Sequence, residues 1–185
     1  MANNVHTVCE TTNLRAVHYA ERIFDAVADF DIDNGTLGYL DGLADGETHI
    51  YKFVKGTKEG RKIVLVHNPE WTEDTSNRLN QRKDKFFIPA GTPFRAFTLA
   101  VDDEFALSKE GFDGEPEVGK YVTINADGKL AVADAPVEGA VVNGMIMRKR
   151  QVGSTLVTGV RTYGYSRMMY EVKVGTQACS DVVTF

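Results

Sequence analysis

Apolar residues in this chain come in short bursts, and each burst is closed by glycine, proline, asparagine or aspartate. That pattern points to strands joined by turns, and no alternation of strands with long helices accompanies it. ERIFDAVADFDID (21–33) puts Phe24, Ala26, Ala28, Phe30 and Ile32 on alternate positions, as a strand requires. Val17, Ala20, Ile23, Phe24 and Val27 also fit a helical stripe, so 14–22 is left open and the later half is read as strand. Asn34-Gly35 then reads as a hairpin turn, with TLGYL (36–40) as the return strand. THIYKFV (48–54) and RKIVLVH (61–67) follow, with KGTKEG as the turn between them.

The pattern stops at NPEWTEDTSNRLNQRKDK (68–85), a long polar loop with room for one helical turn near Thr75. It resumes in FFIPAGTPFRAFTLAV (86–101), where Phe94, Ala96, Thr98 and Ala100 share one face and Arg95, Phe97, Leu99 and Val101 the other. Asp102-Asp103 turns the chain into EFALS. KYVTI and KLAVA (129–133) flank the hairpin turn Asn125-Ala126-Asp127-Gly128. Segments 139–152 and 155–174 read as two longer strands whose glycines suit bulges. The expected fold is mainly β, an antiparallel sandwich or barrel with hairpins. Residues 1–20 form an N-terminal arm of uncertain structure, and 21–185 the β domain, with a possible division near residue 86.

Composition narrows the function classes. The chain has 185 residues, 43% apolar and 25% charged, which suits one soluble domain, or one domain with an appendage. Twenty-six acids against 21 bases give a net charge of −5, which argues against a protein built to grip phosphate backbones. No apolar run is long enough for a membrane helix, and no basic start followed by an apolar stretch marks a secretory leader. Cys9 and Cys179 are expected as reduced thiols, and no Cys/His spacing suggests zinc.

Catalytic signatures fail one by one. Gly114 to Lys120 fits G-x-x-x-x-G-K, but Tyr121 stands where a magnesium-binding hydroxyl is needed, and strand follows instead of helix. Asp29, Asp31 and Asp33 resemble the start of a calcium loop. Asn34 and Leu40 then occupy the positions that need Gly and Glu, so the aspartates are expected on the solvent face of a strand. No G-x-S-x-G occurs, and His6, His18, His49 and His67 are scattered. Asn34-Gly35-Thr36 matches a glycosylation acceptor but is read as a turn. The cluster Arg148, Lys149, Arg150 with Arg161, Arg167, Tyr163, Tyr165 and Tyr170 could form a face for single-stranded nucleic acid. Lys149 would point away from its neighbours, and the net charge is adverse. The expectation is no enzyme, no cofactor, no metal and no direct nucleic-acid contact.

Trp71, Arg78, Arg82 and Arg95 stand out as candidate partner contacts, since Trp and Arg are enriched at interface hot spots. Trp71 is either a plug anchoring its loop or a contact for a partner.

The phrases DIDNGTLGYLDGLADGE, KIVLVHNPEW, IPAGTPFRAFTLAVDDEFALS and PEVGKYVTINADGKLAV, spread over roughly residues 20–135, resemble the head decoration proteins of tailed bacteriophages. The resemblance implies a non-enzymatic virion protein on the outer surface of the head, made in the host bacterial cytoplasm. It implies the major capsid protein as partner, self-association as a homotrimer, and stabilisation of the expanded shell. Residues 1–20 and loop 68–85 are the expected shell contacts. The alternatives are a tail-tube or other tail component, and a β-barrel enzyme or ligand-binding module.

Overall fold

The computed structural model describes residues 5–71, 82–158 and 161–175, and in it the chain is mainly β, as expected. Five strands close into a barrel: β2 (Ile23–Val27), β3 (Leu37–Leu43), β4 (Ile50–Lys55), β5 (Ile63–Val66) and β6 (Phe94–Thr98), in the order β2-β4-β3-β5-β6. The β2–β6 pairing completes the circle, and β2–β4 is its parallel pair. Seven further strands form one sheet: β1 (Cys9–Asn13), β7 (Glu104–Ser108), β8 (Phe112–Asp113), β9 (Tyr121–Ile124), β10 (Leu130–Ala133), β11 (Asn143–Thr158) and β12 (Arg161–Val174). Their order is β1-β7-β12-β11-β9-β10-β8.

One apolar core joins the two sheets. Leu37, Ile63, Leu65, Phe97 and Leu99 from the barrel side meet Phe105, Leu107, Val122, Ile146 and Val172 from the sheet. A second core fills the barrel with Ala26, Phe53, Val64, Val66, Phe94 and Ala96. Strand β6 lies between the two, which explains why both its faces carry apolar residues: Phe94 and Ala96 belong to the barrel core, Phe97 to the core shared with the sheet, and only Arg95 and Thr98 are polar. Burying a phenylalanine such as Phe105, 2% exposed, contributes about 1.5–3 kcal/mol.

Several local expectations are corrected. Asn34-Gly35 is a turn but not a hairpin, because β2 pairs with β4 and β6 and not with β3. Asn34 is fully buried. Its amide donates to the Asn68 carbonyl at 2.9 Å and its oxygen accepts from the Asn68 N–H at 2.8 Å, so it clamps two distant loops together. Gly35 has φ +84°, and a Cβ there would stand 2.4 Å from Leu107, so glycine is needed for the approach of barrel and sheet. Asp31 and Asp33 do not line a strand. Asp31 accepts from the Ala90 N–H, and Asp33 accepts from the Thr7 N–H and bonds to His6. KGTKEG does not join paired strands, since β3 lies between β4 and β5.

The N-terminal region is not outside the β pattern: Cys9–Asn13 is an edge strand on β7. Arg15–His18 is one helical turn, followed by a 3-10 turn at Ala20–Arg22. The chain leaves the barrel after β6, so the change of sheet falls at 99–103. The hairpin of β9 and β10 forms as expected. Strand β11 runs through Gly153-Ser154 without a break, and its bulge lies between Ile146 and Arg148, not at a glycine. Of the loop 68–85, residues 72–81, including Thr75 and Arg78, lie outside the described residues. Lys83–Lys85 forms a 3-10 turn.

Candidate interface

A corner of the molecule gathers the N-terminal strap 5–8, the segment 67–71 and the segment 82–88. The strap is fixed by its backbone: His6 N–H donates to the Asp84 carbonyl at 2.8 Å, and Val8 N–H to Ser108 Oγ at 3.0 Å. The His6 ring stacks on Phe87 with centroids 5.0 Å apart and bonds to Asp33 at 2.7 Å. These partners lie from 27 to 100 residues away along the chain, which is why periodicity alone does not find them.

Charge is concentrated beneath this corner. Asp84, 3% exposed at its side chain, meets Arg82 at 2.8 Å and Arg167 at 3.2 Å. Arg167 also reaches Glu110 at 3.4 Å and the His6 carbonyl at 3.3 Å. Glu70 pairs with Lys83 at 3.3 Å. Strand β12 is thus tied to the strap and to the end of the polar loop by one guanidinium, whose planar fork can serve several acceptors at once.

Trp71 stands on the rim of this corner and is 70% exposed, so it is not a plug. Arg95 is exposed, and its backbone is tied to the same segment: its N–H donates to Asn68 Oδ1 and its carbonyl accepts from the His67 N–H. Arg82 is on the corner through Asp84. Three of the four candidate contact residues therefore share one region, and Arg78 lies outside the described residues. The strap and Phe87 belong to the same region, and no motif in the sequence marks them.

Burial pushes the Cys9 thiol well above its ordinary range, with Glu70 adding to the effect, so it is no nucleophile. Burial lowers the His67 imidazole below its usual value. Arg148 and Arg150 share Glu171, and Arg150 also pairs with Glu10, so two of the three cations of the basic cluster are consumed within the sheet. The side chains of Arg161, Tyr163 and Tyr165 lie outside the described ones. Among the described residues no group of three or more His, Cys, Asp or Glu side chains could hold a metal ion. Among the described residues no helix is long and apolar enough to cross a membrane.

A cleft of about 170 Å³ lies between Thr7, Asp33, Lys55, Asp127 and Lys129. A second, of about 310 Å³, opens at the barrel among Phe24, Leu40, Tyr51 and Val64. No protein-family model, no curated protein and no solved structure matches this chain.

Proposed function

We propose that this chain is a non-enzymatic virion protein that decorates and stabilises the expanded head of a tailed phage. The likeness of residues 20–135 to head decoration proteins carries the reading. The exposed Trp71 beside a rigid, ion-paired corner supports it, because a large ring held in water on a fixed frame suits a partner contact. The mechanism is binding linkage. A protein that binds the expanded lattice and not the procapsid stabilises the expanded form by mass action, and many copies add their contributions. The acidic surface opposes aggregation among closely spaced copies.

Co-sedimentation tests the reading. The protein is mixed with mature heads stripped of their decoration and, separately, with unexpanded procapsids. Saturable binding to mature heads alone is expected. Rings or filaments without head binding would move the assignment to the tail, and neither behaviour would favour the ligand-binding module.

A further inference from the structure

Strands β11 and β12 are 16 and 14 residues long and pair with each other from Gly144↔Val174 to Thr158↔Arg161. The rest of the sheet engages only their bases. Strand β9 covers Asn143–Met145, and β7 covers Met169–Lys173. Beyond Met169 the two strands form a ribbon that, among the described residues, has no other strand beside it. From Arg150, opposite Met169, to Thr158 it reaches roughly 26 Å past its last strand support, at about 3.3 Å per residue.

An isolated two-stranded ribbon is marginal in water, and its two edges expose unpaired N–H and C=O groups. Protective devices at such edges are proline and closely spaced charge. The sequence from Gly153 to Ser166 has no proline and a single charged residue, Arg161. The base of the ribbon, by contrast, is firmly held by Arg167 on Asp84 and by Arg150 on Glu10 of β1. A rigid base under an unsupported ribbon fits an element completed by a partner.

Charge identifies the partner. Residues 147–170 contain no acidic residue and five basic ones, of which Arg148, Arg150 and Arg167 are already paired with carboxylates of the same chain; all 26 acids lie in the rest of the chain, against 16 bases there (21 − 5). Two copies meeting body to body would bring acid against acid. A ribbon free of acids can approach the acidic body of another copy without that penalty.

We propose that the β11–β12 ribbon is the self-association element of this protein, laid by one copy onto the body of a second. The contact is heterologous, so it closes into a ring when the rotation allows. The inference rests on the reading of the chain as an assembly subunit and names the element that would perform the assembly.

Sedimentation equilibrium on the full chain tests it, alongside two variants. In the first, residues 154–165 are replaced by Asn-Gly; Gly153 and Ser166 are directly opposed, so a two-residue turn joins them. The second is Arg161→Glu, which puts an acid on the ribbon and leaves its length unchanged. The full chain is expected as a multiple of the 20.4 kDa monomer, the shortened variant as a monomer, and Arg161→Glu with self-association weakened by about tenfold or more. A full chain that stays monomeric on the order of 100 μM, or variants that associate as the full chain does, would overturn the inference. If the shortened chain does not fold, Arg161→Glu decides alone. Head binding is measured in parallel. Head binding by a monomeric chain sinks the ribbon inference and leaves the decoration reading. Ribbon-dependent association without head binding does the reverse.

Discussion

The Arg167 guanidinium lies 3.2 Å from the Asp84 carboxylate, with the two side chains 11% and 3% exposed. The pair joins the last described stretch of the chain to the end of the polar loop, and a hydrogen bond from Arg167 to the His6 carbonyl adds the N-terminal strap. Removing one partner of such a pair leaves the other charge buried, which costs more than the pair itself contributes. Arg167→Ala is expected to lower stability by about 3 kcal/mol, with Arg82 compensating part of the loss at Asp84. Urea unfolding followed by circular dichroism checks this; a loss below about 0.5 kcal/mol would show that the corner does not depend on the pair.

Gly35 and Gly42 offer a controlled comparison. Each has positive φ, +84° and +115°, but a Cβ at Gly35 meets Leu107 at 2.4 Å while one at Gly42 meets nothing within 4 Å. Alanine at Gly42 should cost about 1 kcal/mol from the backbone alone. Alanine at Gly35 should cost at least about 2 kcal/mol more, because the fully buried Leu107 side chain it meets must shift within a packed core. Equal losses would mean that the approach at Gly35 is relieved cheaply.

Acid should weaken the fold in two stages. The His67 imidazole is held below its ordinary value of 6.5 by burial, so stability is full above that pH and declines as pH falls toward the folded value. Glu171 is held below its ordinary 4.5 by hydrogen bonding to Arg148 and then to Arg150, so its contribution is present above that pH and is lost as pH falls further. Thermal midpoints measured from pH 7 to pH 3 should fall in both windows. His67→Gln should flatten the first and leave the second; an unchanged first window would remove His67 as its source.

Trp71→Ala separates folding from docking. At 70% exposure the ring contributes little to stability, so the change in unfolding free energy should stay within about 0.5 kcal/mol. Affinity for mature heads should fall by about 2 kcal/mol, roughly thirtyfold, as for a central aromatic contact. Unchanged affinity in a normally folded variant would place the shell contact elsewhere.

The class of fold and most strands were legible because strand and turn chemistry are local. Tyr121–Ile124 and Leu130–Ala133 flank a turn whose own residues specify it, and they pair as read. What was not legible is which strands become neighbours. Asn34-Gly35 carries the signal of a hairpin, yet the same residues serve a loop clamp and a close packing contact, because Asn68 and Leu107 lie opposite them. Strand β1 escaped notice because CETTN has little apolar periodicity; pairing with β7 holds it in place. For the interface, Trp71, Arg82 and Arg95 were visible as residue types, whereas their shared region follows from the contacts of Arg95 with His67 and Asn68 and of Arg82 with Asp84, which sequence spacing does not encode.

The most direct measurement is electron cryo-microscopy of mature heads, stripped of their decoration and then incubated with this protein, against the same heads without it. The account predicts added density at regular positions on the outer surface, sized for this chain, with the Trp71 corner against the shell. Heads that carry no added density at saturating protein, or density confined to the tail, would contradict it.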